Sequence, residues 1–293
     1  MSEAGPPGPR TEWRRFDRLL FGRMHEDSAI ELATFPRGGR IFCVASAGCT
    51  AIALAARGDD VTAVDINAAQ VKYVRRRLAG GPRAHGIVDA VLAAGRRLLP
   101  LVGVRADAVR RFLLLSDPRA QAEAWRALDT PRFGMLMRAA LSERVLAMTP
   151  VRMFRGVLPP RFGAVIRGRL ARGVARHPNR TNVYLWRLLL GEDPPGYAEP
   201  RAVAPVTLVH ADALAFLERQ RPASFDGFAL SNIADGADAA FGDRLLRAVA
   251  RTARPGARYV LRSFAAPRDE DADANARRDR SHLWGRVILA DAR

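Results

Sequence analysis

Residues Arg40–Asp65, RIFCVASAGCTAIALAARGDDVTAVD, decide the fold class. Arg40 to Ala45 is a short, nearly continuous apolar run of the kind found in strands buried on both faces. The small residues Ser46-Ala47-Gly48-Cys49-Thr50 follow, and an alanine-rich helix is predicted from about Thr50 to Ala56. Val61 to Val64 repeats the buried-strand pattern and ends on an acid, Asp65. Asn67 stands where it can cap a helix over Ala68–Leu78, which Gly80 and Gly81 end. Strand, helix, strand and helix joined by tight turns open a doubly wound, mostly parallel sheet, an α/β fold.

Working outward, residues 12–35 read as two helices with a break, and residues 1–11 as a flexible tail. From 82 to 205 every periodic stretch is helical: Ile87–Leu99, Ala106–Leu115, Arg119–Leu128, Phe133–Ala147, Phe162–Val174 and Asn182–Leu190. Strand pattern resumes at Val206–His210, followed by a helix over Ala213–Arg219 and a strand over Phe225–Ser231. A helix is then predicted from about Asp238 to Ala253, a turn at Arg254-Pro255-Gly256 and a strand over Arg258–Phe264. An acidic, arginine-rich loop over 266–280 and a last strand over His282–Leu289 complete the pattern. The pattern describes one α/β domain, in halves at 12–81 and 206–293, interrupted after its second strand by a helical insertion over 82–205.

The chain has 293 residues, 48% hydrophobic and 26% charged, which is ordinary globular usage and excludes wholesale disorder, collagen repeats and coiled coils. No apolar run reaches the roughly 18 residues of a membrane span, and MSEAGPPGPR lacks the apolar stretch of a secretory signal. Two cysteines make no disulfide framework, and no Cys/His cluster points to a metal, so a cytoplasmic protein is expected. The net charge is +17, almost all of it arginine, with Lys72 the sole lysine. Between Pro131 and Leu190 twelve arginines face one acid, Glu143. Such a segment suits nucleic acid, an anionic membrane or an acidic small molecule. Aromatic residues are only 7% and no nucleic-acid motif is present, so no nucleic acid is expected.

Four positions carry the functional reading. The turn Ala45-Ser46-Ala47-Gly48 is small enough for a nucleoside to lie across it and face a helix N-terminus, although it also serves as a plain strand–helix turn. Asp65, at the end of the second strand, stands where a carboxylate accepts both hydroxyls of a ribose, or where it caps the next helix. Asp212, before Ala213, can accept from an adenine amino group or cap its helix. The fourth strand runs to Ser231, Asn232 and Asp235, polar residues at the edge where ligands bind in parallel sheets.

These elements in this order resemble class I S-adenosylmethionine (SAM) transferases, a Rossmann-like fold. Closer reading brings out a narrower likeness. Phe21 to Ser28 (FGRMHEDS), the ASAGC turn, Asp65-Ile66-Asn67-Ala68-Ala69-Gln70, Ser231 to Asp235 (SNIAD), Arg262-Ser263 and Asp279-Arg280-Ser281 occur in sequence. With Asn182-Val183-Tyr184 to Gly191, they resemble the 3-amino-3-carboxypropyl transferases that begin betaine-lipid synthesis, the BtaA type. The chain departs from that pattern at His25, Thr50 and Ala68 and has a shorter insertion. The resemblance implies transfer of the carboxypropyl group of SAM to a hydroxyl, diacylglycerol by family default, with methylthioadenosine released. It implies that Met24, Glu26, Asp27, Ser46 and Asn232 shape the amino-acid end of the donor site. Asp65 would hold the ribose and Asp212 the adenine, with Ala45, Ala47, Gly48, Asn67, Gln70, Ala213 and Ser231 around them. His25, His177, Asp235 and His282 are candidate bases, and Arg262 or Arg286 candidate partners of the donor carboxylate.

By elimination the insertion supplies the acceptor side. Its arginines alternate with Phe133, Met135, Met148, Met153 and other apolar residues, which suits either peripheral contact with an anionic membrane or the inner faces of packed helices. A soluble phenol or alcohol acceptor, and an ordinary methyltransferase, remain the competing readings.

Overall fold

In a computed structural model of the chain, residues 17–149 and 157–293 are described. Six strands form one sheet: β1 (Arg40–Val44), β2 (Asp60–Asp65), β3 (Val206–His210), β4 (Phe225–Ala229), β5 (Ala253–Ser263) and β6 (Arg286–Asp291). Their order is β3-β2-β1-β4-β5-β6, all parallel except β6, which runs antiparallel to β5. The chain starts in the middle, moves to β3 on one side and returns to β4 on the other. The switch lies between β1 and β4, where open α/β sheets hold their ligands.

Alternation along β1 divides its side chains between two cores. Ile41 and Cys43 enter a cluster with Leu54 of α2 (Cys49–Ala56), Ile30 of α1 (Ala29–Thr34) and Trp284. Phe42 enters the opposite cluster with Leu214 and Leu217 of α11 (Ala213–Arg219) and Leu245 and Val249 of α12 (Ala239–Thr252). Phe42 meets Phe216, Phe225 and Phe228 at ring centroids 5.9 to 6.2 Å apart. Both faces of the sheet are thus covered, as parallel sheets require.

α3 (Ala68–Leu78) is capped by Asn67, whose side chain accepts from the amides of Ala69 and Gln70. Beyond it the chain stays helical: α4 (Ile87–Leu98), a 3-10 turn (Leu99–Val102), α5 (Ala106–Leu113), α6 (Pro118–Leu128), α7 (Pro131–Ala140), α8 (Glu143–Met148), α9 (Phe162–Val174) and α10 (Val183–Leu189). These helices build a third core of their own around Phe112, Trp125, Phe133, Leu170 and Trp186. No helix among the described residues is long and apolar enough to cross a membrane.

Four expectations need correction. Residues 12–16 lie outside the described residues, and from Asp17 to Ser28 the chain is irregular rather than helical, with helix only over Ala29–Thr34. Its amides bond elsewhere: Leu20 and Phe21 donate to the Gln70 side chain, while Leu19 and Leu20 carbonyls accept from Ile87 and Val88. The stretch over 133–147 breaks at Leu141–Ser142 because Ser142 caps a new helix, accepting from the Val145 amide at 3.3 Å. Arg254-Pro255-Gly256 is not a turn before the strand but part of β5, where Gly256 takes φ +81° beside a register shift against β4. The loop over 266–280 contains α13 (Glu270–Arg278), capped by Asp269 with acids in its first turn and arginines in its last. Only Ala272 and Ala276 of α13 are buried, too faint a stripe to read as periodicity.

Candidate functional site

A cleft of about 990 Å³ opens at the carboxyl ends of the parallel strands. Val44, Val64, Ile66 and Ile233 line it with Leu20 and Phe21, giving it apolar walls. Into those walls project Ser46 after β1, Asp65 ending β2, Asp212 after β3, and Ser231, Asn232 and Asp235 after β4. Among the described residues, Asp65, Asp212 and Asp235 are its charged lining, and no arginine or lysine joins them.

The strand ends are held by the acids themselves. Asp65 accepts from the Ser46 amide and the Asn67 amide, both at 2.8 Å, so one carboxylate clamps two turns. Burial raises its pKa to about 6 against the pull of those two N–H groups. Asp212 caps α11 through the Ala215 amide at 3.0 Å and also lines the cleft, so both roles read for it are compatible. Asp235 accepts from the Ser263 hydroxyl at 2.5 Å and the Phe264 amide at 3.0 Å, and burial raises its pKa.

Two non-glycine residues on the rim take left-handed backbone conformations: Ser46 at φ +45° and Ser231 at φ +52°. Such residues cost about 1–3 kcal/mol each and persist where the surroundings over-determine them. They sit just past adjacent strands β1 and β4, the switch point of the sheet. Gly48, at φ +79°, packs so closely on α3 that a Cβ would meet Val74 Cγ1 at 2.7 Å.

Nine of the fourteen expected donor-site residues line this cleft: Met24, Ser46, Asp65, Asn67, Gln70, Asp212, Ala213, Ser231 and Asn232. Ala45, Ala47 and Gly48 form the turn beneath it. Gln70 is a splint: Oε1 accepts from Leu20 and Phe21, and Nε2 donates to the carbonyls of Phe21 and Ser46. Glu26 is buried behind the lining, where its carboxylate accepts from the Ser231 hydroxyl. Burial raises its pKa to about 7, although Arg262 and the Ser231 hydrogen bond oppose this.

Asp27 points away from the cleft into a buried ionic network. It receives the Arg280 guanidinium at 2.5 and 2.6 Å. Burial acts to raise its pKa, but the Arg280 hydrogen bonds and charge prevail and hold it low. Arg262, wholly buried, donates to Glu31, to Asp279 at 2.9 Å and to the Asp27 carbonyl at 3.0 Å. Arg262 therefore does not face the cleft as a partner for a donor carboxylate, and Arg286 donates instead to the Ala266 carbonyl.

Of the candidate bases, Asp235 alone lines the cleft. His25 Nδ1 is buried without a hydrogen-bond partner, and burial lowers the ring pKa to about 4. His282 lies between Asn182, 3.0 Å from its Nε2, and the stacked ring of His177 at 5.7 Å. Burial lowers its pKa to about 3 with His177 adding to the effect. In the insertion Phe133, Leu146 and Ile166 are core, whereas Met135 and Met148 are exposed. Met153 and Phe154 lie outside the described residues. The apolar wall of Leu20, Phe21 and Ile233 was not read from sequence; only the proximity of the Phe21 segment to the turn motif hinted at it.

Comparison of the chain with protein-family models, curated proteins and solved structures finds no match, so the geometry carries the functional argument.

Proposed function

We propose that this chain transfers the 3-amino-3-carboxypropyl group of SAM to a hydroxyl acceptor and releases methylthioadenosine. The observation that carries the donor is the charge of the cleft. In a chain of net charge +17, the charged residues that line the cleft at the sheet switch point are, among the described residues, three aspartates and no cation. Phosphates of a dinucleotide would be repelled there, whereas a nucleoside carrying a sulfonium and an ammonium is attracted. The choice of the carboxypropyl group over methyl rests on the motif resemblance, and an ordinary methyltransferase is the second reading.

In this reading Asp65 accepts the ribose hydroxyls and Asp212 the adenine amino group, with Leu20, Phe21 and Ile66 against the base. Met24, Ser231 and Asn232 surround the amino-acid end. The acceptor oxygen attacks the γ-carbon, the carbon–sulfur bond breaks with its electron pair going to sulfur, and the hydroxyl proton passes to Asp235. A sulfonium and a carboxylate both lose their charge in this step, which an apolar, water-poor cleft favours. Positioning supplies much of the remaining rate.

The insertion is the acceptor side. Leu101, Met135 and Met148 are large exposed apolar side chains on it, which supports a lipid acceptor such as diacylglycerol reached from the cytoplasmic face of an anionic membrane. A soluble phenol or alcohol is the alternative. The test is incubation with SAM and diacylglycerol micelles or a phenol and alcohol panel, with mass spectrometry of the adenosyl product. Acceptor-dependent methylthioadenosine is expected. S-adenosylhomocysteine in its place would establish a methyltransferase, and failure of calorimetry to detect SAM binding would remove the donor.

A further inference from the structure

A second cavity, a groove of about 1340 Å³, lies between α9 and the segment 282–285 beside α13. Its α9 wall carries Arg169 and Arg172, and Arg176 follows just beyond the helix. Small residues, Gly168 and Gly285 among them, leave the groove open. Arg169 is only 7% exposed, yet its guanidinium bonds to two carbonyls, Leu283 and Phe264, and to no carboxylate. Neither Arg172 nor Arg176 has an ion-pair partner among the described residues, although Arg167 on the same helix is matched to Asp129 at 2.6 Å. The groove's acid, Asp273, is taken by Arg277. Burial, with Arg172 beside it, lowers the Arg169 pKa to about 10, although the charge of Asp235 opposes this, so its compensation is incomplete. A buried charge that no carboxylate contacts directly is costly unless something supplies a closer counter-charge.

One residue links the groove's buried arginine to Asp235 of the cleft. Phe264 gives its carbonyl to Arg169 at 2.8 Å and its amide to Asp235 at 3.0 Å. The Phe264 ring packs on Trp284 at 4.6 Å and Phe162 at 5.7 Å. Arg169 in the groove and Asp235 in the cleft are thus joined through the backbone of one residue.

We propose that this groove is an anion subsite that takes a phosphate or carboxylate borne by the hydroxyl acceptor, with Arg172 and Arg176 as its forks and Arg169 as its buried charge. It deepens the transferase reading, rests on it for the identity of the ligand as acceptor, and replaces the uncharged diacylglycerol with a hydroxyl acceptor that carries an anionic group. Two exposed guanidiniums give bidentate recognition of oxyanions, and the buried third favours a ligand that sheds water. The cleft and the groove then divide the labour by sign: acids for the cationic donor, arginines for the anionic acceptor.

The test is calorimetric titration of the full chain with 4-hydroxyphenyl phosphate, with hydroquinone as the uncharged match, and separately with SAM. The variants are the double substitution R172Q/R176Q, at exposed positions, and Gly168→Leu, whose Cβ has only Arg172 Nη1 nearby at 3.6 Å and whose side chain would fill the groove. We expect the phosphate to bind at least about tenfold tighter than hydroquinone at low salt. Both variants are expected to lose that preference while keeping the SAM affinity. Equal binding of the two phenols, or an unchanged preference in both variants, overturns the proposal. A fall in SAM affinity in R172Q/R176Q also overturns it, because the groove would then serve the donor carboxylate. Phosphate binding without SAM binding in the unmodified chain keeps the anion subsite and discards the transferase reading. Vesicles of phosphatidylcholine with and without phosphatidylglycerol, whose headgroup carries both a phosphate and free hydroxyls, separate the sources: arginine-dependent capture by the anionic vesicles indicates a lipid headgroup, and its absence a soluble acceptor.

Discussion

Replacing Glu26 by Gln is expected to stabilise the fold in a pH-dependent way. The carboxyl is 4% exposed, and burial lifts its pKa from 4.5 to about 7. Below the lower value both folded and unfolded chains hold the proton; above the upper value both have lost it. Between them the folded chain binds more protons, so Glu26 makes stability fall as pH rises through that window. A shift of this size corresponds to a penalty on the order of 3 kcal/mol above neutral pH. Gln keeps an oxygen to accept the Ser231 hydroxyl and has no charge to desolvate. Urea unfolding of both proteins near pH 4.5 and near pH 8.5, followed by tryptophan fluorescence, gives the difference directly. Groups such as Asp65 titrate in both proteins and cancel. We expect the stability of the variant relative to the natural chain to rise by about 2–4 kcal/mol between the two conditions. A difference that is the same at both pH values, or one that turns against Gln at high pH, would refute the reasoning. Glu26 would then be ionised throughout and stabilised by Arg262.

SAM affinity should rise from about pH 5 to about pH 7 and then level off, because Asp65, with its pKa near 6, attracts the cationic donor only when ionised. Calorimetry across that range checks it, and a flat profile removes Asp65 from the site. Asp65→Ala should weaken SAM by about ten- to a hundredfold through lost hydroxyl contacts and loosened strand ends. Gly48→Ala should destabilise the chain by about 2–4 kcal/mol, since its Cβ enters Val74 at 2.7 Å from a backbone at φ +79°. Partial recovery in Gly48→Ala/Val74→Ala separates the clash from the backbone cost. Arg262→Met should cost about 3–5 kcal/mol by stranding Glu31 and Asp279 in the interior, measured by urea unfolding, and a loss below 1 kcal/mol would mean the acids take up protons instead.

The residues of one βα turn with its flanking strands were legible from the chain alone. Apolar runs at strand length, a small-residue turn and an Asn cap are local signals, and each meets partners within a few positions. Asp65 and Ser46, 19 positions apart, were brought together by that local geometry. The same locality explains the helices of the insertion, whose caps Asp117, Thr130 and Asn182 are written beside them. It fails for Asp17–Ser28, where the amides bond to Gln70 and α4 rather than to one another.

What tertiary structure alone decided is where charge is spent. Asp27 and Asp279, 252 positions apart, share a network with Arg262 and Arg280, so residues that looked like ligand contacts became internal counter-ions. His282 turned into the core beside Asn182, while Asp235 reached the cleft. The excess of arginine was visible in composition, but its absence from the cleft lining among the described residues and its concentration in a groove on α9 were not. The physical reason is that helix caps and strand patterns are settled by neighbours along the chain. The cost of a buried charge is settled by whichever group the fold brings within hydrogen-bond reach, from any distance in sequence.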